Sequence, residues 1–173
     1  MIIGVNQILK DHLATLRGDD GLHIKLSNAL IFYLVPVALA TMAWLLDFIP
    51  TKDFHGVSIS FFGIFIALLL NIQVAIFGIF QRVWRPSDDE RLREMQDNKL
   101  ELRKKLLREL NSNISYLILV SCLALVVFLA LFSASLQTGA AELISVTIYC
   151  HFLIVLTLII RSAHALFREE YNI

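Results

Sequence analysis

His151 is the ionisable side chain that stands deepest in an apolar run, the segment LISVTIYCHFLIVLTLII. An ionisable group inside a membrane segment is by default a functional candidate, as a proton carrier or a ligand. The alternative is a neutral imidazole sharing a hydrogen bond with a neighbouring helix. Thr147 lies one turn earlier on the same face, and no carboxylate falls in any span to complete a proton relay. His151 and His164 are thirteen residues apart, the spacing that stacks two haems along one helix. Each iron would need a second His from another span, and none of the other apolar runs contains one, so no cofactor is expected. Cys122 and Cys150 form no CxxC motif, which sets aside thiol–disulfide exchange. They read as small apolar side chains in packing positions.

A second pattern is built from small and polar residues rather than titratable ones. Ser60, Gly63, Ala67, Asn71, Ala75 and Gly78 recur at helical spacing in one apolar run. Such a stripe lets helices approach closely, and an amide can hydrogen-bond across the contact. Gly63, Ala67, Asn71 and His151 are therefore candidates for helix packing or for lining a pore. No nucleotide-binding, metal-ligating or hydrolytic motif is present, so neither metal binding nor enzymatic activity is expected.

The elements that must position these residues follow from composition. The chain has 173 residues, 57% of them hydrophobic and 17% charged, with mean hydropathy +0.70. Soluble domains run at ~45–50% apolar and ~25% charged, so the composition points to a membrane protein. A spanning helix needs ~20 mostly apolar residues. Four stretches qualify, at 26–46, 57–80, 114–135 and 143–160, and none carries Lys, Arg, Asp or Glu inside it. The fourth is short and is expected to borrow Ala140 and Ala141 or to run on past Arg161. Pro36 frees the carbonyl near Phe32 and should kink the first span. The first apolar run is span-length, with no short apolar core of a leader, so no cleaved signal peptide is expected.

Of the fifteen Lys and Arg residues, all but Lys52 fall in the segments before the first span, between the second and third, or after the fourth. The positive-inside rule then puts both termini and the central segment in the cytoplasm, in a bacterial inner membrane. Residues 1–173 read as one four-helix transmembrane domain. The fold class is all-α, with four spans, an N-terminal amphipathic helix and a long cytoplasmic extension of the third span.

In the N-terminal segment, Ile2, Val5, Leu9, Leu13 and Leu16 make one apolar helix face. That face suits either the headgroup layer or a neighbouring protein surface. In the central segment, Ser87, Asp88, Asp89 and Glu90 read as a capping box. A helix from there to Asn113 would reach roughly 39 Å and continue into the third span as a rod. Glu101 precedes Lys105 by one turn, the favourable order for an ion pair. Leu92, Met95, Leu102, Leu106 and Leu110 form a seam that needs the N-terminal helix, a sister subunit or another protein to cover it.

Charge is uneven along this segment, which holds nine basic and seven acidic side chains. Arg103, Lys104, Lys105 and Arg108 cluster near the membrane end and are candidates for binding lipid headgroups. Asp88, Asp89 and Glu94, with Leu92 and Met95, form a distal tip and are candidates for docking a cytosolic protein. An acidic first turn that merely complements the helix dipole is the competing reading. Direct nucleic-acid binding is not expected, because the acids oppose phosphate.

The layout of four spans, both termini inside and a charged 81–113 segment resembles the small four-span membrane subunit of prokaryotic anti-phage defence systems of the Kiwa type. The resemblance covers the whole chain and is architectural; it carries no site residue over. It implies a membrane-bound assembly that recruits a cytosolic DNA-binding partner and responds to infection. Two functions are expected in competition: an oligomeric scaffold or sensor that docks a cytosolic effector, and a pore lined by the polar face of the second span.

Overall fold

The computed structural model describes residues 2–16, 30–46, 50–80, 90–135 and 138–171. Among these residues are five α-helices: α1 (Ile2–Thr15), α2 (Val35–Leu45), α3 (Lys52–Phe80), α4 (Glu90–Ala134) and α5 (Gly139–Tyr171). A single π turn, Leu30–Leu34, leads into α2. No strand occurs among the described residues.

Helices α3, α4 and α5 are each long and apolar enough to cross a membrane, which is consistent with an integral membrane protein. The first apolar stretch is helical over Leu30–Leu45. Those sixteen residues reach about 24 Å, short of a ~30 Å hydrocarbon core. Residues 26–29 of the 26–46 stretch lie outside the described residues.

The long helices begin earlier than their apolar runs. The Thr51 hydroxyl accepts from the Phe54 amide at 3.2 Å and caps α3. The Thr138 hydroxyl accepts from the Ala141 amide at 3.4 Å at the start of α5. Helix α5 both takes in Ala140 and Ala141 and runs past Arg161. Helix α4 is unbroken for 45 residues, because nothing between Glu90 and Ala134 removes a backbone donor or demands a non-helical φ. It stops at Ser135, whose φ of 50° is left-handed. The capping box at Ser87–Glu90 falls on a segment described only from Glu90 onward.

The π turn has a local cause. Pro36 has no N–H to give the Phe32 carbonyl, and its ring crowds that carbonyl. The helix widens there before resuming as α2.

The helices pack in the order α3, α4, α5, α2, with α1 laid against α4. Helices α3 and α5 do not approach backbone to backbone. The gap between them is filled by rings. Phe62, Phe128 and Phe152 are fully buried, and Phe54, Phe61, Phe65 and Tyr149 pack around them. Phe62 stacks on Phe128 with centroids 5.6 Å apart and meets Phe152 edge-on at 5.3 Å. The Tyr149 hydroxyl donates to Ser58 at 2.9 Å, so this layer leaves its phenol satisfied. Helix α2 buries only Pro36 and Ala40 and exposes Val37, Leu39, Met42 and Leu45.

Candidate functional site

Polar side chains of four helices converge where α4 passes from charged to apolar residues, at 111–116. From α1, His12 Nδ1 lies 2.9 Å from Asn113 Oδ1 of α4. Thr15 Oγ1 lies 2.9 Å from the same oxygen and 2.7 Å from the His12 carbonyl. Its one proton serves one acceptor at a time. The His12 ring stacks on Tyr116 with centroids 3.8 Å apart and planes 3° from parallel. The Tyr116 hydroxyl reaches His151 Nε2 on α5 at 2.8 Å. His151 Nδ1 faces the Phe32 carbonyl at 3.4 Å. On the other side of α4, Gln73 of α3 donates to Ser115 at 2.9 Å and to Asn111 at 3.3 Å.

The acceptors decide the tautomers. A carbonyl oxygen only accepts, so Nδ1 of both histidines carries the proton. In the neutral ring Nε2 of His151 is then an acceptor to which Tyr116 donates. This geometry satisfies both ring nitrogens of a neutral His151 from two neighbouring elements, and one of its partners is the carbonyl that Pro36 sets free. His12 and Asn113 are buried. Burial holds the His12 imidazole below its ordinary value of 6.5; the Asn113 bond opposes this, and the nearby His151 adds to it.

The apolar face of α1 is only partly the face that packs on α4. Val5 and Leu9 are exposed, while His12 and Leu16 are buried against α4. The helix rests on the rod of its own chain and meets it at Asn113 and Tyr116. Leu102 of the expected seam stays exposed. Polar partners pull the register: the contact that matters is made by a histidine, which an apolar periodicity count ignores.

The other expected site residues separate into groups. Lys104, Lys105 and Arg108 are exposed and line a cavity of about 560 Å3 between α1 and α4. Arg103 is half-buried on another face of α4 and is not part of that lining. Asp88 and Asp89 lie outside the described residues, as do the side chains of Leu92, Glu94 and Met95. Ala67 and Asn71 face outward from α3 and are exposed, and Gly63 is half-buried, with its nearest neighbour Leu125. His151 does not join them. Cys122 is exposed rather than packed.

Two features escaped sequence reading. Asn113 and Tyr116 sit at the start of an apolar run, where polar residues pass for span boundaries. Glu142 precedes the fourth apolar stretch by one residue, yet it is buried in the first turn of α5, with Oε1 unpartnered. It stands nine residues from His151, roughly 13.5 Å along the helix, and so does not supply the missing relay partner. No group of three or more metal-binding side chains occurs among the described residues.

No family model, no curated protein and no solved structure matches the chain.

Proposed function

We propose that the protein is a non-catalytic membrane scaffold or sensor that assembles with copies of itself and docks a cytosolic effector. The observation that carries the reading is the polar seam on α4. One unbroken helix runs from the charged segment into the apolar bundle, and where it changes character it is tied to α1, α3 and α5. A load or a binding event on the charged end of such a rod is transmitted to the bundle by rigid contacts. The basic asymmetry supports four spans in a bacterial inner membrane, with both termini and the charged segment in the cytoplasm. A reporter fused after Ile173 should then be active in the cytoplasm, and one inserted at Gly139 should not.

Self-assembly is supported by the outward stripe of α3. Asn71 is exposed there and makes no side-chain hydrogen bond among the described residues. An amide facing lipid is unfavourable, and a second α3 packed on Gly63 and Ala67 would satisfy it. Gly63→Leu or Ala67→Leu should reduce the size of the detergent-solubilised particle. Unchanged mass in both variants would leave the stripe to lipid.

The effector is assigned to residues 87–97, in line with the architectural resemblance to a Kiwa-type anti-phage membrane subunit. Reversing Asp88, Asp89 and Glu94 to Lys should abolish co-purification of the partner without altering insertion or particle size. Full retention of the partner would sink this assignment. The same exposed Asn71 supports the second reading, a pore formed between protomers. In that case Asn71→Leu should change the conductance of reconstituted bilayers, whereas a silent wild-type protein favours the scaffold.

A further inference from the structure

The cavity between α1 and α4 is lined by charges of both signs. Lys104, Lys105 and Arg108 come from α4, and so do Glu101 and Glu109; Asp11 comes from α1. Among the described residues none of the five α4 side chains makes an ion pair, and Glu101 and Lys105 do not close the expected one-turn bridge. Asp11 accepts only from Gln7, at 2.7 Å. Below the charges, one or two turns further along α4, the lining becomes neutral and polar with Asn111, Ser112 and Ser115, and Thr15 faces them from α1. Ser112 Oγ is buried there without a partner. The volume, about 560 Å3, is that of a ligand site.

The mixture of cations and carboxylates above a neutral polar base suits a zwitterionic headgroup. An anion alone would gain from three cations and be opposed by three carboxylates. A ligand with a phosphate and a primary ammonium a few bonds apart gains from both sets. The ammonium has three N–H donors for carboxylates, while a quaternary ammonium has none. Ser112, whose Oγ is buried without a partner at the base of the groove, would reach an ester or phosphate oxygen by rotating about χ1. We infer that the groove between α1 and α4 binds a phosphate ester bearing a primary ammonium, the phosphoethanolamine group. Its place at the charged-to-apolar transition of α4 favours a lipid as the source. The inference rests on the membrane placement of α4 and is independent of effector docking at 87–97.

Native mass spectrometry of the full-length protein in mild detergent tests it, with phosphatidylethanolamine, phosphatidylcholine and phosphatidylglycerol of matched chains offered together. Phosphatidylethanolamine should be retained about tenfold more strongly than either competitor, the worth of a charge-assisted hydrogen bond. Arg108→Ala and the near-isosteric Ser112→Ala should each reduce that preference. Glu101→Gln with Glu109→Gln should transfer it to phosphatidylglycerol, a gain that no unfolded variant would show. Competition by O-phosphoethanolamine at strength equal to the lipid would identify a soluble ester as the source; its failure to compete would identify the lipid. Equal retention of the three lipids by the wild type, or an unchanged preference in both Arg108→Ala and Ser112→Ala, would overturn the inference.

Discussion

The aromatic layer and the polar seam hold the same helices by different physics. Around Phe62, Phe128 and Phe152, α3, α4 and α5 meet through rings in edge and stacked contacts, and the few hydroxyls are satisfied locally. That layer depends on volume and shape, so its losses should scale with atoms removed. At residues 111–116 of α4 the contacts are few and directional, and each has a specific partner on another helix. There a single missing atom leaves a buried donor or acceptor unmet. The layer gives the bundle bulk cohesion, while the seam sets which turn of α1 and α5 sits beside which turn of α4.

The largest effect should come from the layer. Phe128→Ala removes a fully buried ring and should cost about 3–5 kcal/mol, read as a large drop in the thermal unfolding midpoint in detergent. A small drop would mean that the neighbouring rings collapse into the space.

Asn113→Ala tests the seam directly. It deprives His12 of its partner and should cost about 1–3 kcal/mol. The loss should be local: amide exchange should speed up in α1 and stay slow in α3 and α5. Uniform loosening would show that the seam supports the whole bundle rather than the seat of α1.

Protonation is a third way to separate the two regions. His12 is held below its ordinary value in the folded protein, so the unfolded chain takes up the proton first. Docking of α1 is fully stable above pH 6.5 and weakens as pH falls from there through the lowered folded value. Exchange in α1 should therefore accelerate on acidification, and His12→Asn should flatten that response. A pH-independent α1 would contradict the buried placement of His12.

Tyr116→Phe keeps the stacked ring and removes the hydroxyl that reaches His151. The expected loss is about 0.5–2 kcal/mol, the range of polar contacts between membrane helices. A still smaller effect of opposite sign is expected outside both regions. Ser135 has a left-handed φ of 50°, so Ser135→Gly should gain up to about 1 kcal/mol, seen as a slightly higher midpoint.

Much of this architecture was legible in the residues themselves. Runs of apolar side chains without charge dictate long buried or lipid-facing helices, because unpaired backbone groups and bare charges are too costly in an apolar medium. The apolar parts of the three long helices follow from that alone. So does the disturbance near Phe32, because a proline lacks a donor wherever it sits. The lack of a carboxylate in the apolar runs, which leaves His151 without a relay partner there, is equally plain from the residues.

What the sequence left open was pairing. Nothing in the order of residues says that the carbonyl released by Pro36 meets His151, more than a hundred positions away. The apolar stripe of α1 gave no hint that Val5 and Leu9 stay exposed while His12 turns inward. Glu101 and Lys105 read as ordinary one-turn partners, yet both line the groove that α1 closes against α4. Local pattern determines helix formation, because the backbone bonds of a helix lie within a few residues. Which side chains share a proton or a cavity depends on the rotation and height of one helix against another. That is set by the sum of many weak contacts across the bundle, and only the tertiary structure decides it.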